Sequence, residues 1–255
     1  MALLDPVSMS SPANKPKAGE VSKPKDGEMR TQAVRIIATP QAQVVRHVHG
    51  VLLLSLFYLR FNVLVVDPVT AMSSAIPIIA AIQIAYAITC LPAAGSQTSK
   101  PAKKSRPGEK KKPGVEGVGP NIAVTIFIAL VLSGSASLGL HVILVLFGAP
   151  FLTHVAHTLL CSTHLAILGF FPLFYSRGVS NTDWLEILSA RAPFDEAFGG
   201  LVGACVGAWL GAVPIPLDWD REWQKWPVTI LCGIYAGYLV GKLIGGTVAF
   251  GRRFG

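Results

Sequence analysis

Two apolar stretches decide the fold of this chain: GGLVGACVGAWLG, residues 199–211, and GIYAGYLVGKLIG, residues 233–245. Each stretch has a glycine at every fourth position, so its glycines share one face of a helix. In water each glycine would cost a helix about 1 kcal/mol relative to alanine. In lipid the same glycines let two helix backbones approach closely, and such rows are typical of membrane helix interfaces. We therefore predict a helix-packing or partner interface made of Gly199, Gly203, Gly207, Gly211, Gly233, Gly237, Gly241 and Gly245.

The composition of the whole chain agrees with a membrane protein. Of its 255 residues, 51% are hydrophobic and 14% are charged, and the mean hydropathy is +0.52. Soluble domains average about 25% charged residues. The net charge of +8 comes mainly from residues 1–47 and 93–119, which are rich in Pro, Gly, Ser and Lys. We predict that both segments are disordered, so no folded basic surface for nucleic acid is expected.

Six segments are long and apolar enough to cross a bilayer, which takes about 20 mostly apolar residues. They lie at about 48–66, 71–92, 121–147, 151–175, 197–215 and 227–249. We predict an all-α, polytopic membrane helix bundle, with two helices at 48–92, a four-helix region at 120–249 and a tail at 250–255. The first segment is the weakest, because Arg60 and Asn62 interrupt it.

The distribution of lysine and arginine predicts the orientation. With six spans, most of these residues fall in the two basic segments, the loop 176–196 and the C-terminal tail, whereas Arg221 and Lys225 fall on the other side. The positive-inside rule then places both termini in the cytosol. Lys242 lies near the cytosolic end of the sixth span and is expected to snorkel to the surface. For Arg60 we favour snorkelling or an ion pair with Asp67 over a functional role.

The fourth predicted span carries a row of polar residues on one helix face, namely His154, His157, Cys161 and His164. A metal site or a proton relay is one interpretation. The row extends over about 15 Å, however, so one ion can use only two or three of its members. We favour a polar stripe that hydrogen-bonds a neighbouring helix, and we predict no metal or cofactor.

The third predicted span carries small residues that are typical of close helix packing. The sequence does not say whether they face the fourth span or another protein. The small residues are Ser133, Gly134, Ser135, Ser137 and Gly139.

A short amphipathic helix is predicted at residues 181–190, between the fourth and fifth spans. Asp183 is the expected N-cap, with Glu186 three residues later. Its apolar side chains would lie on the cytosolic membrane surface, although a plain loop is the alternative.

The connection between the two glycine stretches, residues 214–227, is rich in proline, tryptophan and charge. Pro214 and Pro216 end one helix, and Pro227 fits the first turn of the next. Its tryptophans suit an aromatic belt at the membrane interface. Its charges suit a zwitterionic or phosphate-bearing headgroup, or are simply solvated.

Motifs for catalysis are missing from the sequence. It contains no glycine-rich phosphate loop, no nucleophile elbow and no HExxH pair. The four cysteines form no CxxC pair, which argues against a disulfide framework or a zinc site. We therefore predict no catalytic residues.

The run GAWLGAVPIPLDWD, residues 207–220, followed by WQKWP at 223–227, resembles the PIG-F family of glycosylphosphatidylinositol (GPI) anchor biosynthesis. The specific similarity covers about residues 194–241, and the pattern of six spans extends it loosely over 48–249. The long basic tail and linker suggest a fungal member.

The resemblance implies an endoplasmic reticulum membrane protein that acts after GlcNAc-PI synthesis and before GPI is transferred to protein. It implies a non-catalytic subunit that binds and stabilises large multi-pass ethanolamine phosphate transferases, which add ethanolamine phosphate to mannoses of the GPI glycan. The glycine faces would dock transferase helices. A lumenal loop would contact the transferase or the GPI precursor through Pro214, Pro216, Asp218, Trp219, Asp220, Trp223, Lys225 and Trp226.

Two alternatives stay open. The first is an intramembrane enzyme that uses the histidine row on a lipid-linked headgroup. The second is a lipid or ion transporter, with Arg60 and the histidines lining a path through the bundle. Transporters often contain paired repeats with interrupted helices, and the glycine helices have no clear counterpart in the first half of this chain.

Overall fold

The computed structural model describes residues 31–96, 120–217 and 219–253. Most of the two segments predicted to be disordered, together with Asp218 and residues 254–255, lies outside these ranges. Within them the chain forms eight α-helices. The helices are α1 (Pro40–Val66), α2 (Pro68–Cys90), α3 (Ile122–Leu146), α4 (Val155–Leu165), α5 (Phe171–Arg177), α6 (Asn181–Leu188), α7 (Glu196–Ala212) and α8 (Val228–Gly246).

Five helical rods in the described residues are long and apolar enough to cross a membrane. They are α1, α2, α3, α8 and the continuous rod Val155–Arg177, in which a π-helical turn at Ala166–Phe170 joins α4 to α5. Helix α7 is apolar but has 17 residues. At 1.5 Å per residue it reaches about 25 Å, against a hydrocarbon core of about 30 Å. The predicted all-α polytopic bundle is confirmed. Helix α7, which corresponds to the fifth predicted span, is shorter than the other spans.

Helices α1 and α2 form an antiparallel hairpin joined by Asp67 alone. Thr39 caps α1 by accepting a hydrogen bond from the N–H of Ala42 at 3.2 Å, and Pro40 fits the first turn. This cap starts α1 well before residue 48, where the apolar run was predicted to begin the helix. At the other end, the Asp67 carboxylate accepts from the N–H of Thr70 at 3.2 Å and so caps α2.

The short helix predicted between the fourth and fifth spans is present as α6, Asn181–Leu188. The predicted N-cap was wrong, because Ser180 occupies that position and Asp183 lies in the first turn. Asp183 instead accepts a hydrogen bond from the Thr31 hydroxyl at 2.5 Å. The segment ahead of α1 is thereby tied to α6.

Helices α7 and α8 are antiparallel and pack through the two glycine rows. The facing pairs are Gly199 with Gly241, Gly203 with Gly237, and Gly207 with Gly233. A Cβ built on any of the eight glycines would lie under 3.0 Å from a backbone atom of the opposite helix or its N-cap, a distance that real Cβ atoms essentially never show. The backbones are therefore in direct contact, and the rows face each other.

This packing makes a testable prediction for Gly207→Ala. The new Cβ would lie 2.7 Å from the carbonyl carbon of Gly233, so the helices must separate. Overpacking costs about 1–3 kcal/mol, and we expect the Tm of the purified protein to fall by roughly 5 °C. Tryptophan fluorescence during heating in a mild detergent measures this change.

The matched control is Gly134→Ala in α3, where a Cβ meets nothing within 4 Å. This variant is expected to keep or slightly raise the Tm, because alanine favours a helix more than glycine does. Equal losses in the two variants would contradict direct backbone packing between α7 and α8.

Candidate functional site

A cluster of buried polar side chains lies between α1, α2, α7 and α8. Glu196, in the first turn of α7, accepts a hydrogen bond from the Tyr86 hydroxyl of α2 at 2.8 Å. The same carboxylate forms an ion pair with Arg46 of α1 and lies 3.8 Å from Nζ of Lys242 in α8. Glu196 is 4% exposed and Lys242 is 6% exposed. Charged groups of three helices therefore meet inside the bundle.

Lys242 extends this cluster toward the middle of the bundle. Its Nζ lies 2.9 Å from Nδ1 of His49 and 3.6 Å from the centroid of the Tyr86 ring. A protonated amine only donates, so Nδ1 of His49 accepts and the ring proton lies on Nε2. That N–H donates to Oε1 of Gln83 at 3.2 Å, and the Gln83 amide donates to the Tyr238 hydroxyl at 3.2 Å.

The π-helical turn of the fourth span completes this network. The Gln83 amide also donates to the carbonyl of Leu168 at 3.3 Å. Pro172, four residues after Leu168, has no N–H to donate to this carbonyl. The side chain of Gln83 gives the Leu168 carbonyl a hydrogen bond inside the apolar interior.

A second buried ion pair fixes the start of α7. Arg177, at the end of α5, pairs with Asp195, and their side chains are 2% and 0% exposed. Asp195 is the N-cap of α7 and accepts from the N–H of Phe198 at 2.9 Å. Its other oxygen accepts from the N–H of Val34 at 3.0 Å. One carboxylate therefore holds α5, α7 and the segment ahead of α1 together.

Sequence reasoning missed the cluster around Glu196. Lys242 was predicted to snorkel to the surface, and that prediction was wrong, because Glu196 and His49 give its ammonium group partners inside the protein. The sequence contains one signal for the contact between Glu196 and Lys242, which is the register of the two glycine rows. Once Gly199 is placed against Gly241, Glu196 and Lys242 fall at the same end of the helix pair.

The histidines of the fourth span lie in different environments. His164 is buried, with Nδ1 3.0 Å from the Tyr235 hydroxyl of α8 and Nε2 3.1 Å from the Met72 carbonyl of α2. His154 is the exposed N-cap of α4, and its ring lies 4.8 Å from that of His157. Among the described residues, no group of three or more His, Cys, Asp or Glu could hold a metal ion.

Arg60 is held by polar groups of α2. It donates to the Ser74 hydroxyl, which in turn donates to the carbonyl of Thr70 at 2.6 Å. Asp67, the expected counter-charge, caps α2 instead, and hydrogen bonding from Thr70 lowers the pKa of Asp67 below its ordinary value.

The connection between α7 and α8 is folded around Gln224, which sequence analysis did not single out. Its amide nitrogen donates to the carbonyls of Pro214 at 2.8 Å and Leu217 at 2.7 Å. Its amide oxygen accepts from the N–H of Arg221 at 3.0 Å. A single buried side chain therefore holds the two ends of the loop together.

The predicted contact residues of this loop have different environments. Trp223 and Trp226 are partly buried and pack against the helical core. Lys225 is exposed and pairs with Glu222 at 3.1 Å. Pro214 is half-buried beside Gln224. The remaining described members are exposed, and they are Pro216, Trp219 and Asp220.

The small residues of α3 fall on two faces. Ser133 and Ser137 are buried inside the bundle. Gly134, Ser135 and Gly139 are exposed, and a Cβ on either glycine would meet nothing within 4 Å. The described part of the chain thus leaves one small-residue face uncovered.

The fold and these polar clusters define a polytopic helical membrane protein whose buried polar groups connect helices. Comparison with known proteins gives the family. Residues 48–246 match the model of the GPI biosynthesis protein family Pig-F. The chain belongs to this family, as its sequence resemblance predicted.

Three relatives show how far the similarity extends. A Neurospora crassa protein named glycosylphosphatidylinositol anchor biosynthesis protein 11 is 49% identical over 100% of both chains. A Pyricularia oryzae protein of the same name is 48% identical over 97% of this chain and 96% of its own. A mouse protein named GPI ethanolamine phosphate transferase, stabilizing subunit, is 37% identical over 41% of this chain and 50% of its own. No solved structure matches.

The buried cluster makes a prediction for Lys242→Met. The change removes a cation beside Glu196 and leaves Nδ1 of His49 without its donor. Breaking a buried charge pair costs about 3–5 kcal/mol. We expect a fall of about 3 kcal/mol in the free energy of unfolding, because Arg46 still pairs with Glu196. Unfolding by SDS in mixed micelles measures this loss.

Lys225→Met is the matched control, since it removes the same charge from a pair at the protein surface. The two side chains of that pair are 40% and 84% exposed, and the expected loss is within about 1 kcal/mol. If the two variants lost equal stability, the buried cluster would not be a structural element.

Proposed function

We propose that this chain is a non-catalytic membrane subunit that binds and stabilises ethanolamine phosphate transferases, which add ethanolamine phosphate to the GPI glycan. The observation that carries this proposal is the similarity to a mouse protein named as the stabilizing subunit of such a transferase. The full-length similarity to fungal proteins of GPI anchor biosynthesis supports the same pathway. We also propose residence in the endoplasmic reticulum membrane, with both termini in the cytosol.

The buried polar groups support a structural role. One continuous polar network joins four helices and the fourth span, and it consists of Glu196, Lys242, His49 and Gln83. Their hydrogen-bonding groups are directed at one another inside the bundle. Such a network stabilises one arrangement of the helices, so that a partner protein meets a surface of fixed geometry.

We propose that the transferase docks a transmembrane helix on the outward face of α3. In α7 and α8 the glycine rows cover each other, so the predicted docking on those glycines would require the two helices to separate. Ser135 and Gly139 are exposed and one helical turn apart, with Gly134 beside them. A lipid-facing helix gains nothing from glycine, whereas a partner helix can approach closely over small residues.

The loop between α7 and α8 gives the proposed second contact. By the positive-inside rule it faces the lumen, because residues 31–39 and 91–96, which adjoin the basic segments in the sequence, lie at the other end of the helices. Trp219 and Asp220 are exposed there. We propose that they contact the transferase or the lipid-linked glycan.

An intramembrane enzyme has less support from the geometry. His164 makes hydrogen bonds to neighbouring helices, whereas His154 lies exposed at the start of α4. A transporter path along Arg60 has less support too, since that guanidinium group donates to the Ser74 hydroxyl of α2.

The docking face makes a prediction for the double variant Ser135→Leu with Gly139→Leu. Leucine side chains on this face would hold a partner helix away, so we expect at least about tenfold less transferase to co-purify with the tagged protein. Purification from microsomes in a mild detergent, with quantitative mass spectrometry of transferase peptides, measures this loss.

Ser55→Leu is the control, because Ser55 is likewise an exposed small residue but belongs to a different helix, α1. It is expected to leave both the yield of this chain and the co-purified transferase unchanged. If the double variant retained the transferase in full, docking on α3 would be refuted.

A further inference from the structure

An open cavity of about 280 Å³ lies where residues 34–36 pass over the ends of α1, α7 and α8. This volume is close to the lower limit of small-molecule sites, about 300 Å³. Arg35, Arg46 and Glu196 line its polar part, and its apolar part includes Ile36 and Phe250. The cavity therefore combines charged groups with an apolar wall.

The surrounding surface indicates the depth of this cavity in a bilayer. Arg46 lies between Val44 and Val48 on α1, which are 62% and 44% exposed. Across the cavity, Gly246 lies between the exposed side chains of Ile244 and Val248. The cavity is thus at the edge of the apolar, lipid-facing surface, which is the level of the lipid headgroups.

Positive charge dominates the cavity. The guanidinium group of Arg46 pairs with Glu196 and donates to the Gly246 carbonyl at 3.3 Å. Glu196 also has the ammonium group of Lys242 behind it at 3.8 Å, so its negative charge is already balanced. Arg35 adds a further cation, which lies over the Phe250 ring at 5.7 Å. An anion is the complementary ligand.

We propose that this cavity binds the phosphate group of an anionic glycerophospholipid from the surrounding bilayer. Arg35 and Arg46 donate to the phosphate oxygens, and Ile36 and Phe250 contact the glycerol and the first acyl carbons. Basic pockets between transmembrane helices are typical sites for acidic headgroups. The bound lipid would join the segment ahead of α1 to the end of α8.

The test uses the full-length protein in a mild non-ionic detergent, titrated with dioleoyl phosphatidate. A ligand of the folded state raises the Tm, so we expect a saturable rise. Arg35→Gln is expected to weaken the apparent affinity about tenfold, the effect of one lost charge-assisted hydrogen bond. Native mass spectrometry checks that one lipid remains bound to the wild-type chain.

Arg252→Gln is the matched control, because Arg252 is exposed at the same end of the molecule and does not line the cavity. It should bind phosphatidate as the wild type does. Equal weakening in both variants would overturn the proposal, since it would show attraction to basic surface in general.

Two further titrations decide the source of the phosphate. Dioleoyl phosphatidylcholine is expected to give no comparable rise, and an equal rise would overturn the selectivity for an anionic headgroup. Inorganic phosphate at the same concentration is also expected to give none. If it reproduced the full effect, the site would bind a free anion and the lipid assignment would be refuted.

Discussion

The direct backbone contact between α7 and α8 is the constraint on which the rest of the structure depends. Without side chains between them, the helices approach until backbone meets backbone, and this fixes one register. That register sets Glu196 beside Lys242, and the Asp195 cap then sets where α7 begins. The fourth span packs against this pair, as the contact of Gly169 with Leu201 shows.

Charge inside the bundle is tolerated because each charged group has partners. An isolated charge within a membrane protein is costly, and such residues usually pair with one another or with backbone carbonyls. Lys242 meets this requirement through Glu196, His49 and the Tyr86 ring. The same contacts connect the α1–α2 hairpin to the glycine pair. These polar residues therefore explain how the helices assemble, without invoking a reaction.

Patterns within one helix could be predicted directly from the sequence, whereas contacts between helices also require the register in which the helices pair. Glycines at every fourth position indicated a helix interface, and apolar length indicated an all-α bundle. The burial of Lys242 depends on Glu196, which is distant in sequence and comes close only through the α7–α8 register. The small residues of α3 were recognised, but only the packed bundle shows that Ser133 faces inward and Gly134 outward.

The central claim is that this chain stabilises a transferase without catalysing its reaction. A pulse-chase experiment on the catalytic chain of the transferase, in cells that lack this protein, tests the claim most directly. We expect the catalytic chain to be made at a normal rate but degraded several-fold faster, because its membrane surface is left without a partner. A catalytic chain with an unchanged half-life and lost transferase activity would refute the stabilising role and assign this chain a part in the reaction.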